Sequence, residues 1–337
     1  MEETLFDNGN GNRTPQPGQN RPLRELSDGD QVAGAFVVRE RERRQKRNGE
    51  DFLRVVLADK TGTVPAIAWE GVAECFEVCA PGSIVLVTGS FSIHPQFGRQ
   101  IKLAAVRAAG PGEYDSEQLA EGPARSVQLL EADLRELIAT VQDHSLHTLL
   151  ERFFGPDTEA WARFREAPAA KHYHQAYAGG LLEHTLSVAQ AVSAAANFFP
   201  GIDREIAVTG AMLHDIGKTE AYNDDPLAIG LTDAGRLEGE IPRGYYLVRR
   251  EIERIDGFDP DLAQAILHII LSHHGQLEHG SPVVPCTREA TLVHTMDNLG
   301  GKLGSFDRLE KELAEGETWS RFDRGIDSSA FFGSRAA

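Results

Sequence analysis

The sequence predicts a multidomain protein of mixed class, an N-terminal all-β barrel followed by an all-α domain. Two observations carry this expectation. From Gln31 to about Arg107, short runs of β-branched and aromatic residues are separated by turn signals. From about residue 126 to residue 312, apolar residues recur instead at helical spacing. At 337 residues the chain has the length of about two domains, each able to bury a core.

Taken in order, residues 1–24 are expected to form a disordered tail. The stretch from Asp7 to Pro22 has no apolar residue, so ordering it would cost backbone entropy with no burial in return. Residues 25–109 contain five expected strands, Val32–Arg39, Phe52–Ala58, Val64–Trp69, Ile84–Phe91 and Arg99–Val106. Asp59-Lys60-Thr61-Gly62 reads as a hairpin turn and Val72–Val78 as a short helical insert. Five strands with that insert match the small Greek-key barrel known as the OB-fold, a class that binds single-stranded nucleic acid on one face. Residues 110–125, with Gly110, Pro111, Gly112, Gly122 and Pro123, read as a linker. Residues 126–312 form the helical domain. There Leu130, Leu134, Leu137, Ile138 and Val141 mark one amphipathic helix, and others are expected at 181–198, 204–215, 244–254, 260–273 and 287–300. Residues 313–337 read as a C-terminal tail.

Charge and composition narrow the function. Lys and Arg total 34 against 51 Asp and Glu, a formal net charge of −17, so any polyanionic partner must be met by a local basic patch. The longest strongly apolar stretch, Leu262 to Leu271, is far short of a membrane span, and Glu2 and Glu3 stand where an export signal would be basic. Cys75, Cys79 and Cys286 cannot form a paired disulfide framework; Cys75 and Cys79 share one face of the insert and read as core or partly exposed thiols. A reduced, cytoplasmic protein with no membrane association is expected.

The needed basic patch is Arg39 to Arg47, which holds Arg39, Arg41, Arg43, Arg44, Lys46 and Arg47 against two glutamates. It is expected to be the loop between the first two strands, where OB-folds clasp oligonucleotides. Phe36, Phe52, Trp69, Phe91 and Phe97 are candidates for base stacking, although most aromatics of a small barrel are core. Phe97, beside Arg99 in a turn-rich segment, is favoured.

The helical domain carries the chemistry. His184, the adjacent His214-Asp215, the adjacent His273-His274, and Asp297 lie in or beside successive apolar helices, where unpaired ionisable groups are costly and burial around a shared cation removes that cost. Imidazole and carboxylate ligands without thiolate suit Mn, Fe, Mg or Zn and leave room for a catalytic role. Phosphodiester hydrolysis needs a nucleophile at neutral pH and relief of charge on the phosphoryl oxygens, which bound cations supply. Asp215 is the natural bridging or nucleophile-orienting carboxylate, and Lys218 would stabilise or screen phosphate charge.

The segments Gly179-Gly180-Leu181-Leu182-Glu183-His184, Leu213-His214-Asp215-Ile216-Gly217-Lys218 and Leu271-Ser272-His273-His274-Gly275 resemble HD-domain phosphohydrolases. With an OB-fold in front, the chain is similar to the YhaM-type 3′→5′ exoribonucleases over residues 25 to about 305. The resemblance implies an HD fold for residues 126–312 and metal ligands at His184, His214, Asp215, one or both of His273 and His274, and Asp297. It implies a divalent metal cofactor, with Mn²⁺ first and Mg²⁺, Fe²⁺ or Zn²⁺ as alternatives. It also implies single-stranded RNA as substrate, with Asp215 and Lys218 in catalytic roles. The family's Gly-His-Ile reads Gly239-Glu240-Ile241 here, so Glu240 either replaces an imidazole ligand or faces solvent. Gly300 and Gly301 precede Lys302 where the family tends to carry an Asp and a small residue. The leading reading is a metal-dependent 3′→5′ exoribonuclease whose barrel holds the strand, with single-stranded DNA as an alternative ligand and a homo-oligomer compatible with it. The alternatives are an HD phosphohydrolase acting on a nucleotide or cyclic dinucleotide, and a catalytically inactive nucleic-acid-binding protein.

Overall fold

The computed structural model describes residues 21–333, apart from residues 47, 96, 116–117, 120–121, 124, 172–174, 224, 226–228 and 314–315. The chain divides into two compact units, with the main break between residues 121 and 122.

The first unit is a closed five-stranded barrel of β1 (Gln31–Gln45), β2 (Asp51–Asp59), β3 (Gly62–Ala68), β4 (Ile84–His94) and β5 (Gly98–Ala108) in the order β1-β2-β3-β5-β4. β1 pairs antiparallel with both β2 and β4, while β3 and β5 meet in parallel, which is the OB-fold arrangement. Alternate residues fill the interior, among them Phe36, Leu53, Val55, Leu57, Val85, Val87, Phe91 and Ile101. The turn from β2 to β3 is held by Asp59, whose Oδ1 accepts the Thr61 backbone N–H at 2.7 Å. Helix α1 (Val72–Val78) packs Val72, Cys75, Phe76 and Val78 against the barrel core. Cys79 is fully buried there, and burial pushes its thiol up to about 12, so it is a packed side chain and not a ligand.

Four expectations are corrected. The basic run is not a loop: β1 continues through Arg39–Gln45 and stays paired to β2, with Glu42 opposite Arg54 and Arg44 opposite Phe52. Alternating charges have the period of a strand with both faces in water, and opposite charges across the ladder favour pairing. Residues 1–20 lie outside the described residues, but the tail boundary at 24 falls inside the fold. Leu23 is buried, its N–H donates to Asp59 Oδ2 at 2.7 Å, and Leu23–Glu25 form a 3₁₀ turn. The 110–125 stretch is not simply a linker, because Leu119 is buried against Ala35, Val37, Ala58 and Leu86 on the outside of the barrel. Likewise residues 318–332 fold back on themselves through Trp319–Phe331 and Asp323–Ser328 bridges, with Asp323 paired to Arg308 at 2.6 Å and Ala330 buried.

The second unit is helical: α2 (Val127–Ala139), α3 (His144–Phe154), α4 (Glu159–Phe164), α5 (Gly180–Ala196), α6 (Arg204–Leu213), α7 (Lys218–Ala221), α8 (Asp233–Leu237), α9 (Glu240–Ile252), α10 (Pro260–Ser272) and α11 (Arg288–Glu312). Side-chain caps start most of the longer helices, including Ser126, Asp143, Asp203, Asp259 and Thr287. The periodicity leaves α3 and α4 unread, since both are short and Gly155-Pro156 interrupts their pattern. α11 runs on through Gly300 and Gly301, where a stop was expected. Glycine weakens a helix by about 1 kcal/mol without ending it. α5, α6, α10 and α11 form the centre of this unit around one continuous apolar core.

The barrel closes tightly where β4 crosses β5. A Cβ at Gly89 would overlap the Lys102 carbonyl oxygen and crowd Ile101. Gly89→Ala is therefore expected to destabilise the barrel by about 1–3 kcal/mol, read as a lower urea midpoint with an unchanged slope.

Candidate metal centre

Two of the histidines owe their aim to helix termini. α6 ends at His214 and α10 at His273, where the last carbonyls have no helical N–H to accept from. The His214 Nδ1–H donates to the Ala211 carbonyl at 2.6 Å, and the His273 Nδ1–H donates to the Ile270 carbonyl at 2.8 Å. A carbonyl only accepts, so each Nδ1 carries the hydrogen and each Nε2 turns away from its helix toward a common centre. The two helices approach closely one turn earlier, where a Cβ at Gly210 would overlap the side chain of Ile269. That approach brings the His214 and His273 rings to 5.0 Å between centroids.

Asp215 follows the end of α6, so it can point to the same centre as its neighbour His214. The turn that carries it passes so near the first turn of α9 that a Cβ on Gly217 would overlap the Glu240 carbonyl and crowd the Gly244 N–H. Gly217 has helical backbone angles (φ −65°), so the glycine is needed for space and not for conformation. His184, in the second turn of α5, places its Nε2 3.4 Å from Asp215 Oδ2 and 3.1 Å from Asp297 Oδ1 on α11. His214 Nε2 lies 3.2 Å from Asp215 Oδ2 and 3.4 Å from His184 Nε2. His184, His214 and Asp215 thus offer ligand atoms within 4.8 Å of one another, all buried.

Opposite charges in this buried group hold one another ionised. Burial opposes ionisation of Asp215 and Asp297, yet Lys218 and His214 hold the first, and His184 and His214 the second, well below the usual carboxylate range. Burial likewise disfavours a charged His214, but Asp215 and Asp297 overcome it and raise the imidazole to about 10. Lys218 donates to Asp215 Oδ2 at 2.7 Å, and that ion pair raises its pKa against the effect of burial. Two atoms stay unsatisfied: Asp215 Oδ1 and His273 Nε2 are buried, accept no hydrogen bond, and face each other at 3.5 Å. Two acceptors held together in a buried site fit a shared cation, which would satisfy both. The donor set therefore fits a divalent metal.

The second histidine of the pair differs from the first. His274 is half-buried, its Nδ1 bonds to the His279 carbonyl at 2.8 Å, and its Nε2 lies 3.7 Å from Glu240 Oε1. Glu240 therefore faces His274 from the start of α9. Tyr222, which sequence reasoning missed, is half-buried near this group. Burial raises its phenol above the usual value, with Lys218 opposing and Glu240 and Asp215 reinforcing the shift. Its only signal was an aromatic four residues past Lys218.

The expected nucleic-acid residues separate into two sets, and Arg47 lies outside the described residues. Arg41 donates to the Phe76 carbonyl and lies 3.9 Å over the Phe76 ring, and Arg39 is half-buried at the bulge in β1. Arg99 donates to the Leu23 carbonyl at 2.5 Å and lies over Phe91, so it ties the N-terminal turn to the barrel. Arg43 and Arg44 are exposed and Lys46 is half-buried; Arg43 lies 5.0 Å from the centre of the Phe76 ring, Arg44 pairs with Glu42 and Lys46 with Glu50. Phe97 is 63% exposed at the tip between β4 and β5, against His94. Phe36 and Phe91 are core, while Phe52 stacks on the exposed Trp69 at 5.0 Å, with the Lys46 ammonium 5.2 Å from the Trp69 ring.

Residues 181–301 match the HD domain family. Over 307 residues the chain is 30% identical to the 3′-5′ exoribonuclease YhaM of Geobacillus sp. (strain WCH70), covering 90% of this chain and 92% of that protein. It is 29% identical over 296 residues to proteins of the same name from Bacillus velezensis and Bacillus subtilis (strain 168), covering 87% of this chain and 92% of each.

The unsatisfied pair predicts that divalent cations stabilise the helical unit. Chelation should lower its melting temperature, and adding Mn²⁺ to the stripped protein should raise it progressively with concentration, because a ligand bound only by the folded state adds stability. Calorimetric scans across a Mn²⁺ series check this.

Proposed function

The chain belongs to the family of YhaM-type 3′-5′ exoribonucleases, and on that premise we propose that it hydrolyses single-stranded RNA from the 3′ end in a metal-dependent reaction. The observation that carries the reading is the buried Asp215 Oδ1–His273 Nε2 pair without hydrogen bonds, set among two further imidazoles and a second carboxylate. His184, His214, Asp215 and Asp297 would hold one cation. His273, His274 and Glu240, together with Asp215, would hold a second. Four imidazoles and three carboxylates without thiolate suit Mn²⁺, with Fe²⁺, Mg²⁺ or Zn²⁺ as alternatives. When bound, divalent cations supply an activated water and relieve charge on the phosphoryl oxygens.

The protein's own residues do the rest. Asp215 orients the reacting group and is itself held by Lys218, whose ammonium also screens the incoming phosphate. The helix-end carbonyls of Ala211 and Ile270 keep the His214 and His273 rings from turning. On the barrel, the Phe52–Trp69 stack and the exposed Phe97 ring offer apolar faces to bases, while Arg43, Arg44 and Lys46 meet phosphates. A local excess of cations is what an RNA strand needs from a chain of net charge −17.

Asp215→Ala is expected to abolish release of nucleotides from end-labelled single-stranded RNA, with RNA affinity retained, because hydrolysis and strand binding are assigned to different units. Wild-type degradation by this variant in metal-controlled buffer would overturn the site assignment. Trp69→Ala should weaken binding of a short RNA by about 1–3 kcal/mol, as expected for loss of one stacked base. Neutralising Arg43, Arg44 and Lys46 should instead flatten the salt dependence, by about 0.7 in log–log slope for each lost phosphate contact. Fluorescence anisotropy over a salt series distinguishes the two effects.

A further inference from the structure

The geometry points to His294 as a positioning residue that holds the His273–His274 turn in register with Asp297. His294 lies on α11 three residues before Asp297, so the two side chains share one face of that helix. Its Nδ1 is 2.7 Å from the carbonyl oxygen of His273. Since a carbonyl only accepts, Nδ1 carries the hydrogen and donates it. The acceptor is among the last carbonyls of α10, which lack helical partners. The bond therefore satisfies a helix end and joins the element that bears His273 to the one that bears Asp297.

Gly275 completes the seat. Its φ of +79° lets the chain turn sharply out of α10, and a Cβ there would overlap the imidazole of His294. The ring fits against bare backbone, so its placement and that of the turn are set together. Displacement would pass directly to the metal centre, because the His273 ring is buried and bonded to its own helix through Nδ1, and cannot swing to compensate. The His274 ring, packed at 4.4 Å against His273, would move with it. Loss of outer partners that orient metal-ligating histidines commonly costs about 10–100-fold in metal affinity or activity.

This inference rests on the reading of His273 as a ligand. The test measures Mn²⁺ affinity of the full, metal-stripped chain by calorimetry, for wild type, His294→Asn, His294→Gln and His273→Ala. Asparagine places an amide N–H where Nδ1–H stands, whereas glutamine carries it one bond further. Mn²⁺ affinity is expected to stay within about threefold of wild type for His294→Asn and to fall about 10–100-fold for His294→Gln, with KM for RNA unchanged in both. Equal affinities for the two variants, whether both high or both low, would overturn the positioning role. If His273→Ala binds Mn²⁺ as wild type does, the ligand reading itself fails. If His273→Ala loses Mn²⁺ while both His294 variants keep it, the failure belongs to this inference alone.

Discussion

The burial of Asp215 is the constraint on which the helical unit is arranged. A carboxylate 2% exposed among apolar helices would cost several kcal/mol if left alone. Asp297 adds a second negative charge beside it, and the nearby lysine, Lys218, is committed to Asp215. Further compensation comes from imidazoles drawn in from α5, α6 and α10, whose arrangement fits a divalent cation. A bound cation would replace part of the positive charge that His214 and Lys218 supply here and would also meet the demands of phosphoryl chemistry.

Precision in that core comes from helix ends. A histidine at a helix C-terminus can use one ring nitrogen to satisfy a stranded carbonyl, and the other nitrogen then has a fixed direction. His214 and His273 both do this, and the Gly210–Ile269 approach sets the distance between their helices one turn before the rings emerge. Gly217 allows the first turn of α9, with Glu240, to close over the Asp215 turn. Such glycines are a packing requirement of the site, and a methyl group at either would move ligands.

The barrel solves a different problem, which is to present positive charge and aromatic faces on a strongly acidic chain. It does so by extending β1 and β2 as a paired arm beyond the core, so that charged residues with a period of two still make a ladder. Cations on that arm divide according to their neighbours. Those near α1 are drawn into cation–π and carbonyl contacts with Phe76, while others stay toward water.

By itself the sequence determined the two classes of secondary structure and the residue types of the centre. Period-two and helical patterns are local, and a His-Asp pair, a His-His pair and a lone His and Asp in apolar helices signal a buried charged cluster from composition alone. Tertiary structure decided what each residue touches. Arg99 looked like a strand contact beside Phe97, but the barrel closes so that its guanidinium reaches Leu23, 76 positions earlier. No spacing along the chain pairs Glu240 with His274; the close approach of α9 at Gly217 brings its carboxylate to 3.7 Å from His274 Nε2. His294 had no local signal, because its partner is a backbone carbonyl 21 residues away. Spacing along the chain records which side chains share an element, whereas the distances between elements depend on packing, and there the ligands and their supports become distinguishable.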